Sequence, residues 1–190
     1  DWVFAANPKV IQEPVPIPEL TYREMRELSY GGFSVLHEET LDPVYKMNIP
    51  VIIKNTNNIN SPGTIISPSR NINSELVVGI AGDKGFCTLH ISKYMMNKEI
   101  GFGRKLLEIL EQMGISYEHM PSGIDNVSLI LKEQEFNEKV ENCVLKSIKD
   151  KLNVDNIVIE RDLSLVMLVE EGMVNSVNII SRATTALSKA

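Results

Sequence analysis

Apolar positions follow two different periods along this chain, and proline and glycine mark where one gives way to another. The stretch "NPKVIQEPVPIPEL" holds four prolines, too closely spaced for a helix. Thr21 with Glu24 three residues on is the capping-box pattern, which predicts a helix from Thr21 to near "YGGF". A second short helix is expected over "DPVYKMN", then a buried strand at "PVIIKNT", which is rich in β-branched residues. The polar "NNINSPGT" reads as a turn-rich loop, "TIIS" as a short strand, and "SPSRNINSE" as the best linker.

From Leu76 the pattern becomes regular. "FCTLHIS" is a strand candidate. After Gly101, Phe102, Leu106, Ile109, Leu110 and Met113 fall on one face of a helix, and Gly114 suits the left-handed residue that ends it. "ISYEHM" and "NVSLILK" predict two strands joined by the turn "PSGID". A further helix carries Phe136, Val140, Val144 and Ile148, with acids at its start and lysines at its end, as the helix dipole prefers. "NIVIER" closes the set. Strand, helix, strand, strand, helix, strand is the ferredoxin-like order. The order then begins again: "LSLVMLV" alternates like a strand, "EEGMVN" mirrors the earlier loop, and Val177, Ile180, Thr184 and Leu187 form another helical stripe. The expected organisation is a first segment at 1–70, a linker at 71–75, one complete unit at 76–161 and the start of a second at 162–190. A lone strand and helix cannot bury their apolar faces. With no initiator Met, the chain reads as a piece of something longer.

Composition narrows the partners. The 190 residues allow one or two domains, and 43% hydrophobic with 23% charged residues can build a sizeable core. Net charge is -6 with no basic patch, which argues against nucleic acid or an anionic membrane as the main partner. Apolar runs are too short to span a bilayer, and no signal peptide is visible. Cys87 and Cys143 lie on apolar faces and read as buried, reduced thiols of a cytoplasmic protein, with a disulfide as the alternative.

Candidate chemistry is sparse. The Gly-Phe-Gly at 101–103 lacks the third glycine of a dinucleotide loop, and "YMMNKE" separates it from the preceding strand. A loop glycine without ligand is the leading reading from pattern alone; the other is a helix start whose N–H groups attract a carboxylate. His37, His90 and His119 have no metal-site spacing. Met95 and Met96 suit either packing or a small-molecule pocket. No Ser-His-Asp or Cys-His arrangement stands out. Pattern alone yields an α/β (α+β) protein with a ferredoxin-like repeat, its function open.

Resemblance adds the rest. "DWVFAANPKVI", "ELSYGGFSVLHEETLDPVYKMNIPVIIKNT" and "SPGTII" resemble, in order, the D-G-V-Y-T-A-D-P-R, K-V-L-H-P-x-T-L-x-P and N-T-x-x-P-x-x-P-G-T stretches of aspartokinases. "MMNKEIGFGRKLLEILEQMGISYEHMPSGID" resembles the ACT regulatory domain of the lysine-sensitive members. The resemblance implies the end of an amino-acid-kinase-like α/β domain followed by ferredoxin-like ACT domains, the second incomplete. It implies ATP-dependent phosphorylation of the aspartate β-carboxylate, with Mg2+, in the full-length enzyme. Phe4 then stands at the family's adenine-bordering tyrosine, Lys9 at its phosphate-facing arginine, and Ser34 departs from its lysine. By the resemblance, the glycine-rich phosphate-binding motif and the aspartate-binding residues lie upstream of Asp1, so this piece by itself is expected to have no catalytic residue, no metal site, no cofactor and no kinase activity. An effector pocket at an ACT dimer interface maps onto Met95 or Met96, Gly101, Phe102, Gly103, Tyr117, Glu118, Ser122, Gly123 and Asp125. Lysine is the favoured effector, with threonine or a concerted pair as alternatives. The competing readings are a stand-alone amino-acid-binding ACT module without catalysis and a purely structural dimerisation domain.

Overall fold

The computed structural model describes residues 2–33, 35–70, 77–170 and 178–189. The chain divides into two compact units, Asp1–Asp83 with Val166–Ala190, and Lys84–Leu165. Ser34, the linker 71–75, most of "EEGMVN" and Val177 lie outside the described residues.

In the first unit the proline-rich entry permits only two short strands, β1 (Val3–Phe4) and β2 (Pro16–Ile17), which pair antiparallel. β3 (Glu19–Thr21) runs straight into α1 (Tyr22–Tyr30). Thr21 makes that junction as predicted: its hydroxyl accepts from the Glu24 N–H at 3.1 Å, and the Glu24 carboxylate accepts from the Thr21 N–H at 2.9 Å. Tyr22, Met25 and Leu28 turn inward from α1. The helix stops at Gly31, where an added Cβ would lie 2.3 Å from the Ala81 side chain; close approach requires this glycine. A 3-10 turn (Glu38–Leu41) leads into α2 (Asp42–Lys46), with Pro43 in its first turn.

β5 (Thr64–Ser67) is the centre of a three-stranded sheet, parallel to β3 and antiparallel to β4 (Val51–Ile53). β4 is therefore an edge strand. The expectation of a buried strand fails here, because its alternate side chains face outward and Ile52 is 55% exposed. Val3, Leu20, Leu28, Phe33 and Ile66 form the centre of this core. Thr64 is wholly buried and satisfied, accepting from the Val3 N–H and donating to Ile17 O.

The second unit is built on β6 (Gly79–Ser92), β7 (Asn126–Lys132) and β8 (Asn156–Val169), in the order β7-β6-β8. The first residues of β6 and the last of β8 belong to the other unit. β6 and β7 are antiparallel from Phe86 opposite Lys132 to Ser92 opposite Asn126. α3 (Phe102–Gln112) and α4 (Glu138–Leu152) share one core with the inward-facing strand residues Leu89, Ile91, Leu129 and Leu131. The predicted strand "ISYEHM" forms only an isolated bridge beside β7, at His119–Ile130, and a second falls in the predicted turn, at Ser122–Val127. Pro121 between them has no N–H to give a ladder. Even so, the spatial order 119–122, β7, β6, β8 is that of the ferredoxin-like unit.

Other departures are local. Met113, expected on the inner face of α3, is exposed past its end. Phe136 is buried but precedes α4, which starts after the Asn137 cap. "NIVIER" and "LSLVMLV" are one continuous strand, so the expected boundary at 161/162 falls inside β8, next to the left-handed Asp162 (φ 56°). In α5 (Ile179–Leu187) the buried residue is Ile179, whereas Ile180 and Leu187 of the predicted stripe are exposed. Cys87 is buried, but Cys143 is exposed because it sits one position off the inward Val144. No described helix is long and apolar enough to cross a membrane.

Candidate functional site

The residues singled out between 95 and 125 lie on a loop, a helix start and a turn that the backbone ties together. The Lys93 N–H donates to Asp125 O at 2.9 Å and the Asn97 N–H to Ile124 O at 3.1 Å. On the other side, the Tyr94 N–H donates to the Asp155 carboxylate at 2.6 Å. Met95 takes the left-handed conformation (φ 58°) and opens a 3-10 turn, Met96–Lys98. That geometry separates the two methionines: Met95 is exposed, and Met96 is buried in the core. Phe102 is buried there too. Gly101 (φ 81°) has open space around it, so its glycine serves the left-handed turn that starts α3. The Phe102 N–H donates to Glu99 O at 3.3 Å; with no side chain at this cap, the next N–H groups of the first turn are left for another acceptor.

Three lysine and glutamate side chains brace the loop. Lys93 Nζ reaches Glu99 Oε2 and the last carbonyl of α4, Leu152 O, each at 2.5 Å, and lies 5.7 Å from the Phe102 ring centre. Lys105 Nζ takes Glu99 Oε1 at 2.8 Å. The hydrogen bond from Lys105, and then that from Lys93, holds the Glu99 carboxyl below its ordinary value.

Gly103 and Tyr117 share a groove of about 1020 Å³ between α3 and the 115–120 segment, lined also by Leu107, Ile115 and Met120. Glu118 is half-buried, its N–H bonded to Ile130 O at 2.8 Å. Ser122 bridges to Val127, and the Gly123 N–H donates to Asn126 O. Asp125 Oδ1 is buried and has no hydrogen-bond partner among the described residues. An unpaired carboxylate oxygen of this kind calls for a donor.

The nucleotide candidates are dispersed. Phe4 is half-buried in β1, and Lys9 is exposed on the turn that follows Asn7, whose side chain accepts its N–H at 2.9 Å. A cavity of about 680 Å³ in the same unit is lined instead by Tyr22, Arg23, Arg26, Leu41, Asp42 and Tyr45. Sequence reasoning missed it, as it missed the Lys93–Glu99–Lys105 bridge. Glu99 lies six residues from each lysine, a spacing that belongs to no familiar motif. It also missed a cross-strand set, His90 Nδ1 at 2.8 Å from Ser128 Oγ and His90 Nε2 at 3.3 Å from Glu160 Oε2.

Known proteins share both sequence and fold. The amino acid kinase family profile matches residues 1–55. Aspartokinase 3 of Bacillus subtilis is 50% identical over the whole chain, which spans 42% of that protein. The crystal structure of Clostridium acetobutylicum aspartate kinase superposes over the whole chain with TM-score 0.91 and 42% identity, covering 44% of its length. Escherichia coli aspartokinase III shares the fold in two crystal structures. With aspartate and ADP the TM-score is 0.79 at 19% identity, over 99% of this chain and 42% of that one. With lysine and aspartate it is 0.71 at 21%, over 90% and 38%. The chain thus spans about four-tenths of the relatives it matches, and it belongs to the aspartokinase family.

Proposed function

We propose that the chain is part of an aspartate kinase, which transfers the γ-phosphoryl group of ATP, with Mg2+, to the β-carboxylate of aspartate. The observation that carries this reading is the 50% identity to a Bacillus aspartokinase across every residue of the chain. In it, residues 1–70 close the kinase domain, with Phe4, Lys9 and Ser34 toward the nucleotide. Residues 76–161 are one ACT repeat, and 162–190 begin a second. The enzyme is a cytoplasmic homodimer joined through its ACT domains.

The ACT repeat is the receptor for a feedback amino acid, lysine in the first instance. Its chemistry fits a zwitterion with a second ammonium. First-turn N–H groups of α3, uncapped at Gly101, suit the α-carboxylate. Glu118 and the unpaired Asp125 Oδ1 suit ammonium groups. Met95 and Tyr117 are exposed apolar surfaces able to cover an aliphatic stem, while Met96 and Phe102 support the loop from beneath. Feedback needs only ~1–3 kcal/mol of coupling between effector and substrate sites.

The test uses the full-length enzyme. Aspartate-dependent ADP formation, inhibited by lysine, is expected, and its absence overturns the kinase reading. Calorimetry with lysine on Glu118→Ala is expected to show weakened binding; unchanged affinity removes Glu118 from the site.

A further inference from the structure

We infer that Glu99 is a positioning residue that presets the loop of the effector site, a step that rests on the amino-acid-binding reading above. The loop from Lys93 to Gly101 is tied by its backbone at Lys93, Tyr94 and Asn97. Beyond Asn97 the backbone bonds are local, from Lys98 to Met95 O, Glu99 to Met96 O and Phe102 to Glu99 O, and the loop ends at Gly101, a left-handed glycine with nothing near the place of a Cβ. Such a residue is a hinge unless its neighbours restrain it. Glu99 supplies the restraint. Its two carboxylate oxygens take two different ammonium groups, Lys105 from α3 and Lys93 from the residue after β6. Lys93 passes the restraint on, since the same Nζ holds Leu152 O at the end of α4.

Bridging needs both oxygens. Glutamine keeps the length but offers one acceptor and turns an amide NH2 toward the other ammonium. Glu99 does not touch the ligand in this reading; it keeps the loop that carries Met95 and Gly101 in one arrangement. A preset loop spares the ligand the cost of ordering it.

The experiment compares wild-type full-length enzyme with Glu99→Gln and Lys105→Met, by calorimetry with lysine and by amide hydrogen exchange. Glu99→Gln is expected to weaken lysine binding by about tenfold, as a fall of the competent population to about a tenth implies. It should speed exchange at the Asn97 amide and leave Leu129, in the β6–β7 ladder, unchanged. Lys105→Met, which keeps the Lys93–Glu99 tie, should fall between. Unaltered affinity in Glu99→Gln, or unaltered exchange at Asn97, overturns the proposal. If wild-type enzyme binds no lysine and exchange at Asn97 still rises in Glu99→Gln, the effector reading falls and the latch stands.

Discussion

Arg70 grips Glu24 with two nitrogens, Nε at 2.9 and 3.0 Å from the two carboxylate oxygens and Nη2 at 2.8 Å from Oε1. The side chains are 8% and 1% exposed, and the same carboxylate closes the capping box on Thr21. A residue at the edge of the expected linker therefore anchors the first turn of α1.

Removing the guanidinium takes the bidentate cation away from a buried carboxylate. Arg70→Met is expected to cost ~3–5 kcal/mol, the usual penalty for one half of a buried pair. Replacing both partners with apolar side chains should recover part of that loss. Urea denaturation of the single and double variants measures both, and a near-neutral Arg70→Met would contradict the buried pair.

Gly31 has an ordinary backbone (φ -74°), so its glycine is a matter of space alone. Gly31→Ala drives a methyl into Ala81 and should destabilise by ~1–3 kcal/mol. Ala81→Gly in the same chain is expected to restore stability, seen as a recovered thermal midpoint.

The two thiols should react differently. Burial raises the Cys87 thiol above its ordinary value, against a smaller lowering by Arg161, so it stays protonated and shielded. Cys143 is exposed on α4. Iodoacetamide on the native protein is expected to label Cys143 and spare Cys87 until denaturant is added, with peptide mass spectrometry as the readout. Equal labelling of both in the native state would refute this.

Acid should release the loop latch. The folded value for Glu99 is lowered from 4.5, so its unfolded value is the higher of the two. Its contribution is complete above the unfolded value and is lost as pH falls through the folded one. Exchange at the Asn97 amide, corrected for its intrinsic rate, should rise in wild type as pH falls below 4.5. Glu99→Gln should show no such rise.

Much of this was legible because it is local. Thr21 and Glu24 meet three residues apart on one helix turn, and Leu106, Ile109 and Leu110 share a face by helical geometry alone. "ISYEHM" misled because a strand needs a continuous ladder, and here only His119 bridges to β7 before Pro121, which has no N–H to extend the pairing. Ile52 misled because β-branching does not distinguish an edge strand from a central one. Met95 and Met96 are chemically the same in sequence; the left-handed turn at Met95 sends one outward and the other into the core.

By itself the sequence determined the ferredoxin-like order, the Thr21 cap of α1, the left-handed Gly114 after α3 and, through its motifs, the aspartokinase family. Those follow from neighbours along the chain and from patterns of residue type. Only the tertiary structure decided that Glu99 bridges Lys93 and Lys105, that Arg70 pairs with Glu24, and that one carboxylate oxygen of Asp125 has no partner among the described residues. Charge pairing and burial depend on which segments meet in space, and residues 46 positions apart, as Glu24 and Arg70 are, carry no sign of it in their order.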